Sequence, residues 1–325
     1  MTKARRRPRT LRDIGENRLL REMLPRLPQR AGTVVGPGDD CAVVRIPGAK
    51  EDALFTTDPV IEGRHFTADT PPRLVGRKAI ARAISDIAAM GGEPLWILVN
   101  LVAPGDTPLA RVRGIFAGLI ATAEEFSLGI LGGDTAEGPT LELHVTGIGR
   151  VGRGRAVLRS GARAGDALYV TGALGGAYLD GNRHHLLFEP RLAAGQFLAA
   201  NRWATAMMDL SDGLAADLPR LLDASGRGVR LEAAAIPLSS AARRTAQPLQ
   251  HALGDGEDFE LLFTVSARKR VRFERAWTEA FPKLCATRIG AILADAKQRE
   301  ILFADGARAP FAPGGYEHFA ATGAS

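Results

Sequence analysis

The chain has 325 residues, of which 46% are hydrophobic and 24% are charged. This length favours two packed domains over one, and the composition indicates an ordinary soluble, globular protein. No apolar run reaches the roughly 18 residues that a membrane span requires. The two cysteines, Cys41 and Cys285, are too few for a disulfide framework or a zinc site. We therefore expect a cytoplasmic protein that does not cross a membrane.

The formal net charge is +6, and much of the positive excess lies in the first 12 residues. No apolar run of signal-peptide length follows this segment. A short basic run is typical of a solvated tail, so residues 1–12 are predicted to form a flexible basic tail. The acidic clusters described below argue against a nucleic-acid-binding protein.

Hydrophobic periodicity predicts the elements of the first half. Apolar residues at helical spacing predict helices over residues 15–26, 73–90 and 111–126, and two glycines at 91–92 supply the stop of the second helix. Alternating apolar and polar residues predict a half-buried strand over residues 141–145. A segment rich in glycine and arginine, residues 147–165, is interpreted as the junction between two halves of the chain.

The second half repeats the alternation of strands and helices. Strands are predicted over residues 167–171 and 260–265, and helices over residues 190–201, 213–224 and 269–280. Strands mixed with helices in both halves predict an α/β or α+β architecture. We place an N-terminal ATP- and metal-binding domain at residues 13–152 and a C-terminal domain at residues 153–325.

Four apolar, strand-like runs end in a small residue that is followed at once by aspartate, over residues 33–40, 53–58, 128–134 and 206–212. Strands of this kind place carboxylates at the rim of a sheet, where ligands bind. Carboxylates gathered together repel one another, whereas Mg²⁺ binds carboxylates together with substrate phosphates. The candidate aspartates are Asp39, Asp40, Asp58, Asp86, Asp134, Asp209 and Asp212.

Each of these aspartates also has an ordinary structural interpretation. Gly-Asp and Asp-Gly pairs are common in turns, and Asp212 or Ser211 could cap the helix that follows. Asp86 is harder to explain in this way, because it lies one turn before the end of a helix rich in alanine and isoleucine. The helix dipole disfavours a carboxylate there by about 0.3–1 kcal/mol, and a bound cation would reverse that effect.

Other motifs narrow the kind of nucleotide site. No Gly-x-x-x-x-Gly-Lys-Ser/Thr sequence occurs, which excludes a P-loop, and residues 147–152 match a dinucleotide-binding spacing without the apolar helix that should follow. Arg159 fits either a phosphate clamp or a solvated loop. Residues 254–260 contain four acids just before an apolar strand, which favours binding of a substrate hydroxyl or amine.

Eight short motifs in a fixed order cover the chain from about residue 15 to residue 319. They are GPGDDCA (36–42), TTD (56–58), RHF (64–66), SDIAAMG (85–91), GGDT (132–135), DLSDGL (209–214), GEDFEL (256–261) and GYEHF (315–319). Each is weak alone, but in this order they resemble the thiamine-monophosphate kinases, a family in the superfamily of aminoimidazole ribonucleotide synthetase. The resemblance implies a two-domain fold in which N-terminal strands of two subunits build a shared barrel, with a C-terminal α/β domain.

The resemblance also implies a reaction and a set of site residues. ATP donates its γ-phosphoryl group to the phosphate of thiamine monophosphate, giving thiamine diphosphate and ADP. Several magnesium ions would be held by Asp40, Thr56, Thr57, Asp58, Asp86, Asp134, Asp209 and Asp212. The ATP-binding residues would be Gly133, Asp134, Arg159 and Ser211. The substrate-binding residues would be His65, Glu257 and Pro313. Potassium is a further candidate ion.

The chemistry is consistent with these assignments. Phosphoryl transfer depends mainly on positioning and charge neutralisation, and the acceptor phosphate oxygen is already a nucleophile, so no catalytic side chain is assigned. The family often has an aromatic residue at the position of Pro313, and Phe311 or Tyr316 are the candidates to replace it. The segment between residues 171 and 190 is also shorter than in many relatives. The alternatives are another ATP-dependent phosphotransferase of the superfamily or a non-catalytic relative.

Overall fold

Two seven-stranded sheets, one in each half of the chain, form the framework of the computed structural model. The structure describes residues 10–179, 181, 183–316 and 319. Residues 1–9 of the predicted basic tail, and Glu317 and His318 of the last motif, lie outside the described residues. The predicted mixture of strands and helices is confirmed in both halves. Within the described residues, every helix is too short or too polar to cross a membrane.

The first half forms one sheet with helices against one of its faces. Its strands are β1 (Thr33–Val35), β2 (Ala42–Val44), β3 (Glu51–Ile61), β4 (Glu93–Ala103), β5 (Gly129–Gly132), β6 (Thr135–Glu137) and β7 (Glu142–Gly152). Its helices are α1 (Leu11–Ile14), α2 (Glu16–Met23), α3 (Pro72–Ala89) and α4 (Leu109–Glu125), with a 3-10 turn over Leu24–Arg26. The strand order is β1-β2-β3-β7-β4-β5, and β6 also pairs with β4.

The second half forms a sheet of order β14-β13-β10-β12-β8-β11-β9. Its strands are β8 (Ala167–Thr171), β9 (Ala204–Asp209), β10 (Gly228–Glu232), β11 (Leu261–Val265), β12 (Ala286–Leu293), β13 (Arg299–Leu302) and β14 (Arg308–Pro310). Its helices are α5 (His184–Leu187), α6 (Leu192–Ala200), α7 (Leu214–Ser225), α8 (Pro248–Gly254) and α9 (Arg270–Ala280). Short 3-10 turns span Ala233–Ala235, Ala242–Arg244 and Ala267–Lys269.

The central strands of the second sheet are buried on both faces. In β8, Leu168 and Val170 pack in a cluster with residues of α7, whereas Tyr169 packs with Phe273 and Trp277 of α9. Because successive side chains of a strand point to opposite faces, helices cover both sides of this sheet. The continuous apolar run at residues 167–171 is therefore the signature of a strand covered on both faces.

The strand observed at the position predicted for residues 141–145 is longer than the alternation of apolar and polar residues indicated. Strand β7 continues to Gly152 because its whole length pairs with β3. The glycines of the dinucleotide-like spacing lie in this strand, and Cβ atoms added to Gly147 or Gly149 would come within 3.3 Å and 3.0 Å of Ile87 side-chain atoms. These glycines therefore let α3 pack close to the sheet. This packing role explains the glycines without a dinucleotide site, so the match to the dinucleotide-binding spacing is interpreted as chance.

Helix α3 joins the two halves of the molecule. It contacts β3, β4 and β7 of the first sheet and also α6 and β9 of the second half. Its apolar residues are buried around the whole circumference rather than along one stripe, as expected for a helix enclosed on all sides. Every polar side chain of α3 that faces inward must therefore find a partner inside the protein.

The first sheet has one covered face and one open face. In β4, Ile97 and Val99 are buried under the helices, whereas Trp96 and Leu98 are exposed. Phe55 of β3 shares the open face with Trp96, because both lie opposite Ile148 of β7 in the ladder. A row of apolar side chains thus crosses three strands on the side of the sheet without helices.

Helices α3 and α4 approach each other closely at Gly118 of α4. A larger residue at this position should therefore lower the stability of the protein. A Cβ atom at Gly118 would lie 2.1 Å from the Arg73 carbonyl oxygen, whereas a Cβ atom at Gly254, the last residue of α8, would meet nothing within 4 Å. We expect Gly118→Ala to destabilise the protein by about 1–3 kcal/mol, although alanine has the higher helix propensity by about 1 kcal/mol.

Thermal unfolding measures this effect, with Gly254→Ala as the matched control. The midpoint should fall by several degrees for Gly118→Ala and stay level or rise slightly for the control. Equal midpoints for Gly118→Ala and the wild type would contradict the close approach of the two helices.

Candidate active site

Three carboxylates from distant parts of the chain meet where the two halves touch. Asp40 precedes β2, Asp86 lies on α3, and Asp209 ends β9. One oxygen of each lies within 4.8 Å of the others, and Asp40 and Asp209 are buried. We call these three residues the carboxylate triad. The structure thus brings together three of the aspartates that the sequence predicted as magnesium ligands.

Hydrogen bonds from hydroxyl groups hold two members of the triad in place. Thr56 of β3 donates to Asp86 Oδ2, and Ser85 Oγ donates to Asp209 Oδ2 at 2.6 Å. Thr56 and Asp58 lie on the face of β3 that α3 covers, because Leu54 and Val60 at the same alternation are fully buried there. Two further predicted ligands, Thr56 and Asp58, therefore face the helix that carries Asp86.

Burial and mutual repulsion disfavour the charged form of the triad. Burial, followed by repulsion from Asp40, raises the pKa of Asp209 to about 8. Burial and the neighbouring Asp58 raise the pKa of Asp86 well above its usual range. Burial also raises the pKa of Asp40, against the influence of Arg159. Without a counter-ion, these groups therefore tend to retain protons that free aspartates lose.

The donor set of the triad fits a hard divalent cation. Asp40 Oδ2 is buried and has no hydrogen-bond partner among the described residues. Its other oxygen accepts a hydrogen bond from Arg159 Nη2 at 2.5 Å. Carboxylate oxygens are the ligands that Mg²⁺ prefers in proteins, and a divalent charge would offset the repulsion within the triad. Asp40, Asp86 and Asp209 are therefore the residues that could hold such an ion.

Arg159 lies beside the triad rather than in a solvated loop. Its guanidinium pairs with Asp40, and its backbone N–H donates to the Asp39 carboxylate at 3.1 Å. Ser225 Oγ donates to the Arg159 carbonyl oxygen at 3.0 Å, which anchors this segment to α7. The planar guanidinium is thus held next to the acidic cluster, where it could also contact a phosphate group.

Cys41 follows Asp40 but is a packed side chain. It is 1% exposed and belongs to an apolar cluster with Leu54 and Ile87. Burial and the surrounding carboxylates raise the pKa of its thiol well above the usual range, so a reactive thiolate is disfavoured at this position.

Asp212 lies in a second acidic pair next to the triad. Arg220 Nη1 bridges Asp212 Oδ2 at 2.7 Å and Asp217 Oδ1 at 2.6 Å, and the Asp212 N–H donates to Asp217 Oδ2 at 2.9 Å. The N-cap of α7 is Gly213, without a side-chain cap, so neither Asp212 nor Ser211 has the capping role that the sequence allowed. The Ser211 carbonyl oxygen instead accepts a hydrogen bond from the Glu257 N–H at 2.7 Å.

Three predicted site residues lie apart from the triad. Thr57 points to the open face of the first sheet, where its hydroxyl accepts a hydrogen bond from Thr146 at 3.4 Å. Asp134 is exposed between β5 and β6, and its N–H donates to Asn100 Oδ1 at 3.0 Å. Gly133 lies against β4, since an added Cβ atom would fall 1.7 Å from the Val99 carbonyl oxygen. The structure does not bring these three into contact with the triad.

A second charged group surrounds Glu257. Lys78 Nζ lies 2.6 Å from Glu257 Oε2, and Arg82 Nη1 lies 2.5 Å from Oε1. Arg82 also reaches Asp58 Oδ1 at 3.5 Å. Lys78 is fully buried, and this burial lowers its pKa to about 8. The two cations therefore hold the carboxylate of a predicted substrate-binding residue and link it to a predicted metal ligand.

Lys78 and Arg82 were not among the predicted site residues, although the sequence carries a signal for them. Residues 78, 82 and 86 are four apart and form one polar stripe along α3. Two cations followed by an aspartate on one face of an otherwise apolar helix require partners when that helix is enclosed. The stripe connects the triad with the charged group of Lys78, Arg82 and Glu257, which we call the Glu257 pocket.

His65 contacts the charged group around Glu257 through its backbone. The Ile61 N–H donates to His65 Nδ1 at 3.0 Å, which leaves the proton of the neutral ring on Nε2. The His65 carbonyl oxygen accepts a hydrogen bond from Lys78 Nζ at 2.6 Å. The loop after β3 and the cationic stripe of α3 are thereby tied together.

Pro313 lies in an exposed segment near Asp212. The segment is attached by hydrogen bonds from the Gly314 N–H to the Ala215 carbonyl oxygen and from the Tyr316 N–H to the Asp212 carbonyl oxygen. Phe311 is buried in the core of the second half, so the expectation that it could replace an aromatic residue at position 313 is wrong. Tyr316 remains exposed.

The two-domain fold and the site define the class of protein. The family model for the N-terminal domain of AIR synthase related proteins matches residues 38–151, and the model for their C-terminal domain matches residues 163–302. The chain is 37% identical to the thiamine-monophosphate kinase of Salmonella typhimurium over 317 residues, which cover 90% of this chain and 94% of the relative. The chain belongs to the thiamine-monophosphate kinase family.

Solved structures agree with this assignment. The structure of AaThiL complexed with AMPPCP and TMP is 28% identical in sequence, with a TM-score of 0.80 over 96% of this chain and 100% of the other. The thiamine-monophosphate kinase from Stenotrophomonas maltophilia is 34% identical, with a TM-score of 0.71 over 86% of this chain and 93% of the other. The resemblance predicted from the eight motifs is confirmed.

The raised pKa of Asp209 predicts how pH and metal affect stability. An aspartate whose folded-state pKa rises from 3.8 to about 8 stabilises the fold most below pH 4, and this contribution is lost as the pH rises towards 8. The metal-free protein should therefore lose stability over this range. Asp209→Asn removes the titrating group, so its thermal midpoint at pH 8 should exceed that of the metal-free wild type.

Magnesium titration completes this test. MgCl₂ should raise the thermal midpoint of the wild type, because an ion that binds only the folded state stabilises it, and should raise that of Asp209→Asn much less. Asp106→Asn, which changes an exposed loop residue, serves as the control and should respond like the wild type. An equal magnesium response in Asp209→Asn would contradict the assignment of the triad.

Proposed function

We propose that this protein is an ATP-dependent thiamine-monophosphate kinase. It transfers the γ-phosphoryl group of ATP to the phosphate of thiamine monophosphate and releases ADP and thiamine diphosphate. The observation that carries this proposal is the pair of adjoining charged groups on α3: the carboxylate triad with its unpartnered Asp40 oxygen, and the Glu257 pocket with its two cations. Family membership and the AaThiL complex with AMPPCP and TMP support the same activity.

The triad is the proposed site of the ATP polyphosphate. Asp40, Asp86 and Asp209 would hold Mg²⁺, which when bound supplies charge neutralisation between the two anionic reactants. Arg159 provides a planar set of donors next to Asp40, and such a fork suits phosphate oxygens. We assign further ATP contacts to Gly133, Asp134 and Ser211, and further metal contacts to Thr56, Thr57, Asp58, Asp134 and Asp212, on the family resemblance. Potassium is a candidate second ion.

The Glu257 pocket is the proposed site of the phosphate acceptor. His65, Glu257 and Pro313 are the assigned contacts, and Arg82 lies between Glu257 and Asp58, on the path from this pocket to the triad. In the reaction, an oxygen of the acceptor phosphate forms a bond to the γ-phosphorus as the bond to the ADP oxygen breaks. Because that oxygen is already anionic, the chain needs to orient and shield the reactants rather than remove a proton.

An activity assay with Asp58→Asn tests this proposal. The wild type with ATP, Mg²⁺ and thiamine monophosphate should form thiamine diphosphate, as followed by chromatography. Asp58→Asn should lower kcat on the order of 100-fold, since metal-assisted charge stabilisation contributes several kcal/mol to such reactions. Asp106→Asn again serves as the control and should retain wild-type turnover.

The outcomes separate the proposal from its alternatives. Turnover of a different phosphate acceptor, but not of thiamine monophosphate, would identify another phosphotransferase of the superfamily. Binding of ATP without turnover of any acceptor would identify a non-catalytic relative. Near-normal kcat in Asp58→Asn would remove Asp58 from the metal site. Repeating the assay with KCl and with NaCl tests the role of potassium.

We also propose that the protein works in the cytoplasm as a homodimer. Both cysteines are free, as is usual in a reducing compartment. The open face of the first sheet carries Phe55, Trp96 and Leu98, which are 37%, 44% and 36% exposed. A second copy would cover this row with its own identical row, because a two-fold interface pairs the same patch on both subunits. The partner is thus a second copy of the chain in a shared barrel.

Substitution on the open face tests the dimer. Trp96→Glu places a charge in the apolar row and should yield monomers by light scattering coupled to size exclusion. Val271→Glu makes the same kind of change at a 70%-exposed position on α9 and should stay dimeric. A monomeric wild type, or a dimeric Trp96→Glu protein, would contradict the proposed interface.

A further inference from the structure

Tyr178 places an exposed aromatic ring beside the Glu257 pocket. Its residue surface is 49% exposed, and its hydroxyl lies 3.3 Å from Lys78 Nζ. The imidazole of His185 packs against the ring in a tilted arrangement, at a centroid distance of 4.2 Å and an interplanar angle of 31°. The ring is thus supported by the protein, and its exposed part is accessible to a ligand.

The position of this ring is fixed by a buried cation. Lys78 Nζ contacts the His65 carbonyl oxygen at 2.6 Å, Glu257 Oε2 at 2.6 Å and His185 Nδ1 at 3.1 Å, in addition to Tyr178. Burial lowers the pKa of His185 to about 4, so the ring is neutral and its Nδ1 can accept a hydrogen bond. Ligand binding to a ring that is already immobilised costs little conformational entropy.

Among the residues that the structure describes, the cations beside Tyr178 are paired with carboxylates. Lys78 and Arg82 are balanced by Glu257 and Asp58 through direct ion pairs. Lys78 Nζ lies 5.2 Å from the centroid of the Tyr178 ring, but its charge is paired with Glu257, so the electron-rich ring can still attract a cationic aromatic ligand. Thiamine monophosphate has this chemistry, because its thiazolium ring is positively charged and is joined to an aminopyrimidine.

We propose that Tyr178 binds the ring system of the acceptor by stacking, and so selects a cationic heteroaromatic phosphate over a simple phosphate. This inference rests on the proposed function and adds a specificity-determining residue to it. Glu257 belongs to the same charged group and accepts a hydrogen bond from Arg82, and such a carboxylate suits an amino group of the ligand. Phe116 of α4 is an exposed aromatic residue outside the proposed binding sites, and it provides a matched control.

Steady-state kinetics on three variants test the inference. Tyr178→Leu should raise the KM for thiamine monophosphate about tenfold and leave both kcat and the KM for ATP within about twofold, because the ring contacts only the acceptor. Tyr178→Phe keeps the ring and should retain the wild-type KM for the acceptor. Phe116→Leu should also retain it. All three variants should unfold within about 5 °C of the wild type, because Tyr178 is half exposed and its variants lose mainly one hydroxyl contact to Lys78.

Direct binding separates this inference from the proposed function. By calorimetry, unphosphorylated thiamine should bind Tyr178→Leu about tenfold more weakly than the wild type, and inorganic phosphate should bind both proteins equally. An active wild type with an unchanged acceptor KM in Tyr178→Leu would overturn the role of Tyr178 alone, as would an equal rise of the acceptor KM in Phe116→Leu. A wild type that neither binds thiamine nor turns over its phosphate would overturn both proposals.

Discussion

Three carboxylates lie within 4.8 Å of one another where the two halves of the protein meet. Their repulsion costs electrostatic free energy, and the surrounding arrangement of charges and hydrogen bonds offsets that cost. Desolvation and mutual repulsion both oppose ionisation of these groups. The protein reduces that cost with Arg159 on Asp40 and with hydroxyl donors on Asp86 and Asp209. The remaining negative charge is what a divalent cation would neutralise.

Helix α3 is the element that makes this arrangement possible. It is enclosed by both halves of the molecule, so its polar residues meet partners from elements far away in the chain. Lys78 and Arg82 pair with Glu257 from the second half, and Asp86 faces Asp209. The proposed acceptor site and the proposed polyphosphate site are thus held by consecutive turns of one rigid helix. Their separation is therefore set by helix geometry rather than by flexible loops.

The first sheet divides the predicted site residues between its two faces. Thr56 and Asp58 lie on the covered face of β3, whereas Thr57 lies on the open face with Phe55 and Thr146. Asp134 is likewise anchored to Asn100, which is exposed on β4. A dimer formed through the open face would place these residues near the second subunit. The family resemblance groups them with the triad, and within one chain they stand apart from it.

The sequence by itself determined the alternation of strands and helices, the order of the eight motifs, and from these the family. Periodicity and turn residues are local signals, and they placed α3, α7, α9 and β8 within one or two residues of their observed bounds. Only the tertiary structure decided which aspartates meet, because contacts between residues 40, 86 and 209 depend on how two sheets pack around one helix. It also decided which face of the first sheet Thr57 occupies, because a shift of one residue in strand register would move its side chain to the opposite face. The roles of Lys78 and Tyr178 emerged in the same way, since their partners come from four separate segments of the chain.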